Sequence, residues 1–145
     1  MAQENTILIV DDEPDIIEIL RYNLEKEGYK TYSATNGLEA VAKAESILPD
    51  LILLDVMLPD MDGIQTCETI RSKPELRDTL IAFLTARSED YSEIAGFQAG
   101  ADDYITKPIR PKVLISRIQS LLKRTRQQVD TNIISYNEIV LNKEK

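Results

Sequence analysis

Strand-like and helical patterns alternate along most of this chain. The strand-like runs are Thr6-Ile7-Leu8-Ile9-Val10, Lys30 to Ser33, Leu51 to Asp55, Leu80 to Thr85 and Asp103 to Thr106. Ile7 to Val10 and Leu51 to Leu54 are continuous and apolar, as in strands buried on both faces of a sheet. After the first run, Pro14 opens a helix to about Glu27, with Ile16, Ile17, Leu20 and Leu24 on one face and Gly28 ending it. Asn36-Gly37 turns the chain into a second helix, with Leu38, Val41, Ala44 and Leu48 at helical spacing and Pro49 closing it. A loop rich in turn residues, Val56 to Asp62, leads into a third helix from about Ile64 to Lys73, stopped by Pro74. Ser88 to Ala99 reads as a short fourth helix ended by Gly100. Pro111 to Thr125 reads as a last helix burying Leu114, Ile118, Leu121 and Leu122.

Strands and helices that alternate with short connections predict an α/β fold: a doubly wound parallel sheet covered by helices on both sides, three layers around one core. That unit fills residues 1–126. Residues 127–132 are polar and linker-like, and Ile133 to Leu141 resumes strand-like apolar content. So short a segment cannot build its own core, and residues 133–145 read as the start of a second domain.

Composition narrows the class. A chain of 145 residues with 43% hydrophobic content supports one domain and argues against wholesale disorder. No apolar stretch approaches the ~20 residues that span a bilayer. Met1-Ala2-Gln3-Glu4-Asn5 lacks the basic start and apolar run of a signal peptide. Cys67 is the one cysteine, so no internal disulfide forms, and with no histidine to activate it the thiol reads as packing. A cytoplasmic protein is the expectation. Charge is uneven: residues 1–108 carry 9 basic and 22 acidic side chains, whereas residues 109–126 carry 6 basic and no acidic ones. So acidic a body repels DNA phosphates, and the basic stretch reads as a solvated helix face.

The chemistry lies at the strand ends. Asp11 and Asp12 follow the first strand, Asp55 ends the third, and Lys107 follows the fifth. Ligands of open parallel sheets bind beyond the carboxyl ends of the strands. Three acids gathered there repel one another unless a cation intervenes, which predicts a divalent metal site, with Mg²⁺ suited to an all-oxygen donor set. Asp55 is open to the roles of nucleophile, metal ligand or general base. Lys107 offers a point charge to a phosphoryl oxygen, Thr85 a hydroxyl and Ala86 an amide at the same pocket. Each residue alone also has a plainer reading: Asp12 as a helix cap, Lys107 as a surface lysine, Thr85 as a strand end, Tyr104 as core. Together they suit one phosphoryl site.

The segments Ile7-Leu8-Ile9-Val10-Asp11-Asp12-Glu13, Leu51 to Gly63, Leu84-Thr85-Ala86 and Gly100-Ala101-Asp102-Asp103-Tyr104-Ile105-Thr106-Lys107-Pro108 resemble, in this order, the CheY-like receiver domain of two-component response regulators. The resemblance spans about Thr6 to Arg124 and implies a flavodoxin-like (βα)5 sandwich of strand order 2-1-3-4-5. By the same resemblance Asp55 is the phosphoacceptor, served by a histidine kinase. Asp12, Asp55 and the Met57 carbonyl would ligate Mg²⁺, with Asp11 helping through water, and Thr85, Ala86 and Lys107 would hold the phosphoryl group. Thr85 and Tyr104 would be the switch pair acting on the face of the fourth helix, fifth strand and last helix. The side chains of Met57 and Arg87 would flank the phosphate. Such a domain catalyses only its own phosphorylation and dephosphorylation.

The last helix and the segment from Ile133 resemble the OmpR/PhoB subfamily, which implies a C-terminal winged-helix DNA-binding domain outside this chain. The same likeness implies a homodimer on phosphorylation, joined through charged residues that fit Asp102, Asp103, Arg117 and Arg124, and no membrane partner. One expected interhelical pair departs from the pattern, standing here as Glu93 and Val113. A stand-alone interaction module without DNA binding is the alternative. An aspartyl phosphatase would need a substrate-specificity segment that this chain does not display. A nucleotide-binding fold would need glycines where Val10 to Asp15 has acids.

Overall fold

The computed structural model describes residues 5–85 and 99–123. Five parallel strands form one sheet: β1 (Thr6–Val10), β2 (Lys30–Ala34), β3 (Leu51–Asp55), β4 (Leu80–Thr85) and β5 (Asp103–Thr106), in the order β2-β1-β3-β4-β5. Helices α1 (Pro14–Lys26), α2 (Gly37–Ile47) and α3 (Gly63–Arg71) connect the first four strands, and a last helix covers residues 111–123. The doubly wound order 2-1-3-4-5 follows from right-handed crossovers laid first on one side of β1 and then on the other.

Alternation along the strands sorts the apolar residues into two layers. Ile7, Ile9, Leu51, Leu53, Ala82 and Leu84 pack with Ile17, Leu20 and Leu24 of α1 and with Leu114, Ile118 and Leu121 of the last helix. Leu8, Val10, Ile52, Leu54, Ile81 and Phe83 pack with Ala40 and Ala44 of α2 and Cys67 and Ile70 of α3. All five residues of β3 are buried, as befits the central strand. Each such leucine removed from water contributes about 1.5–3 kcal/mol.

Register then aligns the strand ends. Val10 pairs with Leu54, Asp55 with Leu84 and Thr85 with Thr106, so Asp11, Asp55, Thr85 and Lys107 emerge at one edge. Gly63 makes that edge compact: a Cβ there would lie 2.3 Å from the Asp55 carbonyl oxygen and 2.7 Å from Val56 Cα. Its missing side chain lets α3 start directly against the end of β3.

Two details depart from the sequence reading. The buried side of α2 is Gly37, Ala40 and Ala44, whereas Leu38 is exposed, and Leu48 is an exposed left-handed cap with φ 54°. The small residues permit close approach to the sheet, a tertiary constraint that overrides hydrophobic spacing. Helix α3 runs Gly63–Arg71 rather than to Lys73, and Pro74–Leu76 adds a 3-10 turn. The predicted fourth helix, Ser88 to Ala99, lies outside the described residues up to Ala99, which with Gly100 forms a turn. The linker and the segment 133–145 lie outside them as well.

Candidate functional site

The end of β1 places Asp11 fully buried and Asp12 exposed beside it. Asp11 turns back on its own chain, its Oδ1 accepting the Glu13 N–H at 2.9 Å, which anchors the start of α1. Asp55, 5% exposed, closes β3, and its Oδ1 accepts the Met57 N–H at 3.1 Å. One carboxylate oxygen from each of Asp11, Asp12 and Asp55 lies within 4.8 Å of the other two. The predicted acidic cluster therefore forms.

Lys107 enters from the opposite side. Its Nζ lies 3.1 Å from Asp11 Oδ2 and 3.6 Å from Asp55 Oδ2. The Lys107 N–H donates to the Thr85 carbonyl at 2.6 Å, which fastens the lysine to the end of β4, and the peptide bond from Lys107 to Pro108 is cis. Among the described residues, one ammonium thus pairs with two of three clustered carboxylates, a local excess of negative charge. Asp11 Oδ2 is buried and, among the described residues, has the Lys107 ammonium 3.1 Å away but no hydrogen bond of good geometry, which leaves it capacity for a hard cation.

Electrostatics register the crowding. Burial pushes the Asp55 carboxyl up to about 6, and the charges of Asp11 and Asp12 push the same way against the Met57 amide and Lys107. For Lys107, burial acts to lower the pKa, but Asp11 and Asp55 outweigh it and leave the group above its ordinary value, a fixed cation. The donor set is all oxygen and negatively charged, so the residues present fit a hard divalent ion.

Thr85 and Tyr104 lie on adjacent strands, with Tyr104 opposite Phe83 and packed on the core layer of α2 and α3. Asp102 is held inside its own chain: Arg71 Nη2 donates to its Oδ2 at 2.8 Å, and the Ile81 N–H donates to the same oxygen at 2.9 Å. Asp103 is bound by Arg117 Nη1 at 3.0 and 3.1 Å to its two oxygens. A groove of about 270 Å³ beside this pair is lined by Tyr104, Lys107, Arg110, Val113 and Arg117. Ala86, Arg87, Glu93 and Arg124 lie outside the described residues.

Two side chains escaped the sequence reading. Arg71 gathers Gly100 O at 2.9 Å, Thr79 O at 2.5 Å and Asp102, tying α3 to the entries of β4 and β5. Asp60 registers in the sequence only as a turn residue, but its carboxylate accepts the N–H groups of Gly37 and Leu38 at 2.8 and 3.0 Å. Partners 22 or more residues away leave no local pattern to find.

Comparison with known proteins agrees with this geometry. A family profile described as the response regulator receiver domain matches residues 7–119. Over 119 residues the chain is 45% identical to the alkaline phosphatase synthesis transcriptional regulatory protein PhoP of Bacillus subtilis, covering 82% of this chain and 49% of that protein. It is 47% identical over 126 residues to the transcriptional regulatory protein ResD of the same organism, covering 87% of this chain and 51% of ResD. The chain thus spans about half the length of these two relatives. Among solved structures, a CheY-like response regulator receiver domain protein from Methanospirillum hungatei superposes with a TM-score of 0.82 at 31% identity, over 87% of this chain and 99% of that one. A two-component response regulator from Clostridium difficile gives 0.79 at 33% identity, over 83% and 98%.

Proposed function

Because the chain belongs to the response regulator receiver domain family, we propose that it accepts a phosphoryl group on Asp55 from a histidine kinase and passes the signal through the β5 side of the sheet. The observation that carries the reading is the buried Asp55 carboxylate, ringed by Asp11, Asp12 and Lys107 where β1, β3 and β5 end. Asp11, Asp12, Asp55 and the Met57 carbonyl are the groups to hold Mg²⁺. Bound there, the ion would neutralise charge on the transferring phosphoryl group.

In the transfer, a carboxylate oxygen of Asp55 attacks phosphorus, the phosphorus–nitrogen bond of the phosphohistidine breaks, and the imidazole leaves with that electron pair and takes a proton from solvent. The product is an acyl phosphate on Asp55. The Met57 amide holds Asp55 Oδ1 in place, and the buried backbone of β3 prevents the side chain from swinging away. Lys107 is close enough to meet an oxygen of the group that Asp55 receives. Thr85, which ends β4, is the described residue to complete the cradle, and Ala86, outside the described residues, is assigned to it by the same proposal. A phosphoryl group that binds one arrangement of Thr85 better than another shifts the population of that arrangement, and Tyr104 carries the shift to the neighbouring surface.

PhoP and ResD are named as transcriptional regulators, which supports a place for this chain as the receiver portion of a DNA-binding regulator working in the cytoplasm. Among the described residues no helix is long and apolar enough to cross a membrane. Dimerisation after phosphorylation through Asp102, Asp103, Arg117 and Arg124 belongs to the same proposal. In it Asp103 and Arg117 would have to exchange their mutual contact for one with a second copy, and Asp102 its contact with Arg71.

The test is intact mass after incubation with acetyl phosphate, with and without Mg²⁺, on wild type and Asp55→Asn. A Mg²⁺-dependent gain of one phosphoryl group, absent from the variant, is the expected result. Equal modification of Asp55→Asn overturns the assignment.

A further inference from the structure

We propose that Asp60 is a positioning residue for the metal site, latching the Val56–Asp62 loop to the first turn of α2 so that the Met57 carbonyl is held where an ion can meet it. This rests on the reading above, in which that carbonyl is a ligand.

The loop leaves β3 pinned at its start, where the Val56 N–H donates to Leu84 O at 3.2 Å and the Met57 N–H to Asp55 Oδ1 at 3.1 Å. It is pinned again at its end, where Gly63 N–H reaches Val56 O at 2.8 Å and Asp62 Oδ1 caps α3 through the Gln65 N–H at 2.8 Å. Asp60 is a lateral pin between these two. Each of its oxygens takes one N–H of the opening turn of α2, Gly37 at 2.8 Å and Leu38 at 3.0 Å. Those amides have no partner within their own helix, and the positive end of the helix favours a carboxylate there. Asn36 caps the Glu39 N–H from the other side.

The joint is tight as well as polar. A Cβ on Gly37 would lie 2.9 Å from Met61 Cβ and 2.6 Å from Thr66 Oγ1, so loop and helix touch at van der Waals distance. Asp60 stands apart from the carboxylates gathered at the strand ends, which are Asp11, Asp12 and Asp55. Its charge is committed to α2, so its effect on the ion is indirect. Without the latch, ordering the loop becomes part of the cost of binding, and the apparent affinity falls.

The test is calorimetric titration of the metal-free protein with MgCl₂ for wild type, Asp60→Asn and Asp60→Ala. Hydrogen exchange of the Gly37 and Leu38 amides and acetyl phosphate reaction rates at low and saturating Mg²⁺ accompany it. Supporting residues around metal sites change affinity by roughly tenfold or more, so Asp60→Ala should bind Mg²⁺ about tenfold more weakly and exchange both amides faster. Asp60→Asn keeps one acceptor oxygen and should fall between. The slowed phosphorylation of Asp60→Ala at low Mg²⁺ should recover at saturation, which a merely unstable variant would not do. Mg²⁺ affinity within about twofold of wild type in both variants, or a rate defect that persists at saturating Mg²⁺, overturns the inference. Should Asp60→Ala fail to fold, the titration and amide exchange of Asp60→Asn decide alone. A wild type that binds no Mg²⁺ overturns the metal reading itself, and the inference with it.

Discussion

Replacing Asp55, the proposed phosphoacceptor, should make the metal-free protein more stable. Asp55 is 5% exposed and its carboxyl is pushed from the usual 3.8 up to about 6, first by burial and then by Asp11 and Asp12. The folded chain holds that proton up to about pH 6, whereas the unfolded chain releases it near pH 3.8. Between those values the native state binds more protons than the unfolded one, so stability falls as pH rises through the window. Above pH 6 the full penalty is present. At about 1.4 kcal/mol per pKa unit the penalty is about 3 kcal/mol, and partial hydration at the mouth of the site brings it to about 1–3 kcal/mol. The neutral amide that Asp55→Asn introduces carries no such cost and still offers an oxygen to the Met57 N–H.

The assay is urea unfolding followed by far-ultraviolet circular dichroism, in EDTA, at pH 4, 5, 6 and 7.5. Asp55→Asn should exceed wild type by about 1–3 kcal/mol at pH 7.5, and the gap should shrink towards pH 4, where Asp55 is protonated in the fold and roughly half protonated in the unfolded chain. Adding Mg²⁺ should narrow the gap at pH 7.5 from the other side, because an ion held by three carboxylates stabilises wild type more than a variant with two. A variant no more stable than wild type at pH 7.5 in EDTA would refute the reasoning. So would a gap of constant size across the pH series, which would place its origin in packing rather than ionisation.

Lys107→Ala leaves Asp11 and Asp55 without their shared cation and should cost about 1–3 kcal/mol in EDTA, recovered largely by Mg²⁺ in the same urea assay while the far-ultraviolet spectrum keeps its native shape. Gly63→Ala drives a Cβ into the Asp55 carbonyl at 2.3 Å. Backbone cannot yield as a side chain does, so a loss of about 1–3 kcal/mol should come with a slower acetyl phosphate reaction, read by intact mass. Arg71→Met strands the carbonyls of Gly100 and Thr79 and the charge of Asp102. It should cost about 3–5 kcal/mol, and a double-mutant cycle with Asp102→Asn should show coupling above about 0.5 kcal/mol.

The order of elements was legible because each strand-like run has turn residues at its ends and a helical period between it and the next, as at Leu51 to Asp55 with Pro49 before it and Pro59 after. The acidic cluster was legible for the same reason: a charge directly after a buried run can only sit at the edge of the sheet. What stayed hidden depends on contacts across long stretches of chain. Leu38 and Leu48 match a helical period, but α2 approaches the sheet through Gly37, Ala40 and Ala44, a choice set by the space beside Met61 and Thr66. Asp102 looks like a surface acid until Arg71, 31 residues earlier, is found against it. Asp60 and Arg71 share this character: each joins backbone groups of separate elements, and nothing near them in sequence marks the partner.

These two hidden joints divide the sheet in a way that bears on how a signal could leave the site. Arg71 fastens α3 to the turn at Gly100 and to Asp102, before the start of β5. Asp60 fastens the loop after β3 to α2. The far end of the strands is therefore cross-linked by a cation that reaches several carbonyls. At the near end, among the described residues, Lys107 pairs with two of three clustered carboxylates. With charge concentrated at one edge and a brace of hydrogen bonds at the other, a response to an added ion or phosphoryl group would fall on the loops at that edge. Thr85 stands there at the end of β4, with its carbonyl receiving the Lys107 N–H. In the proposed function, a shift of Lys107 towards a phosphoryl group on Asp55 would pull on the strand that carries Thr85, and on β5 through its pairing with β4. The buried faces of the strands hold them in register, so under the proposed function the change would reach the surface around Tyr104 rather than the core.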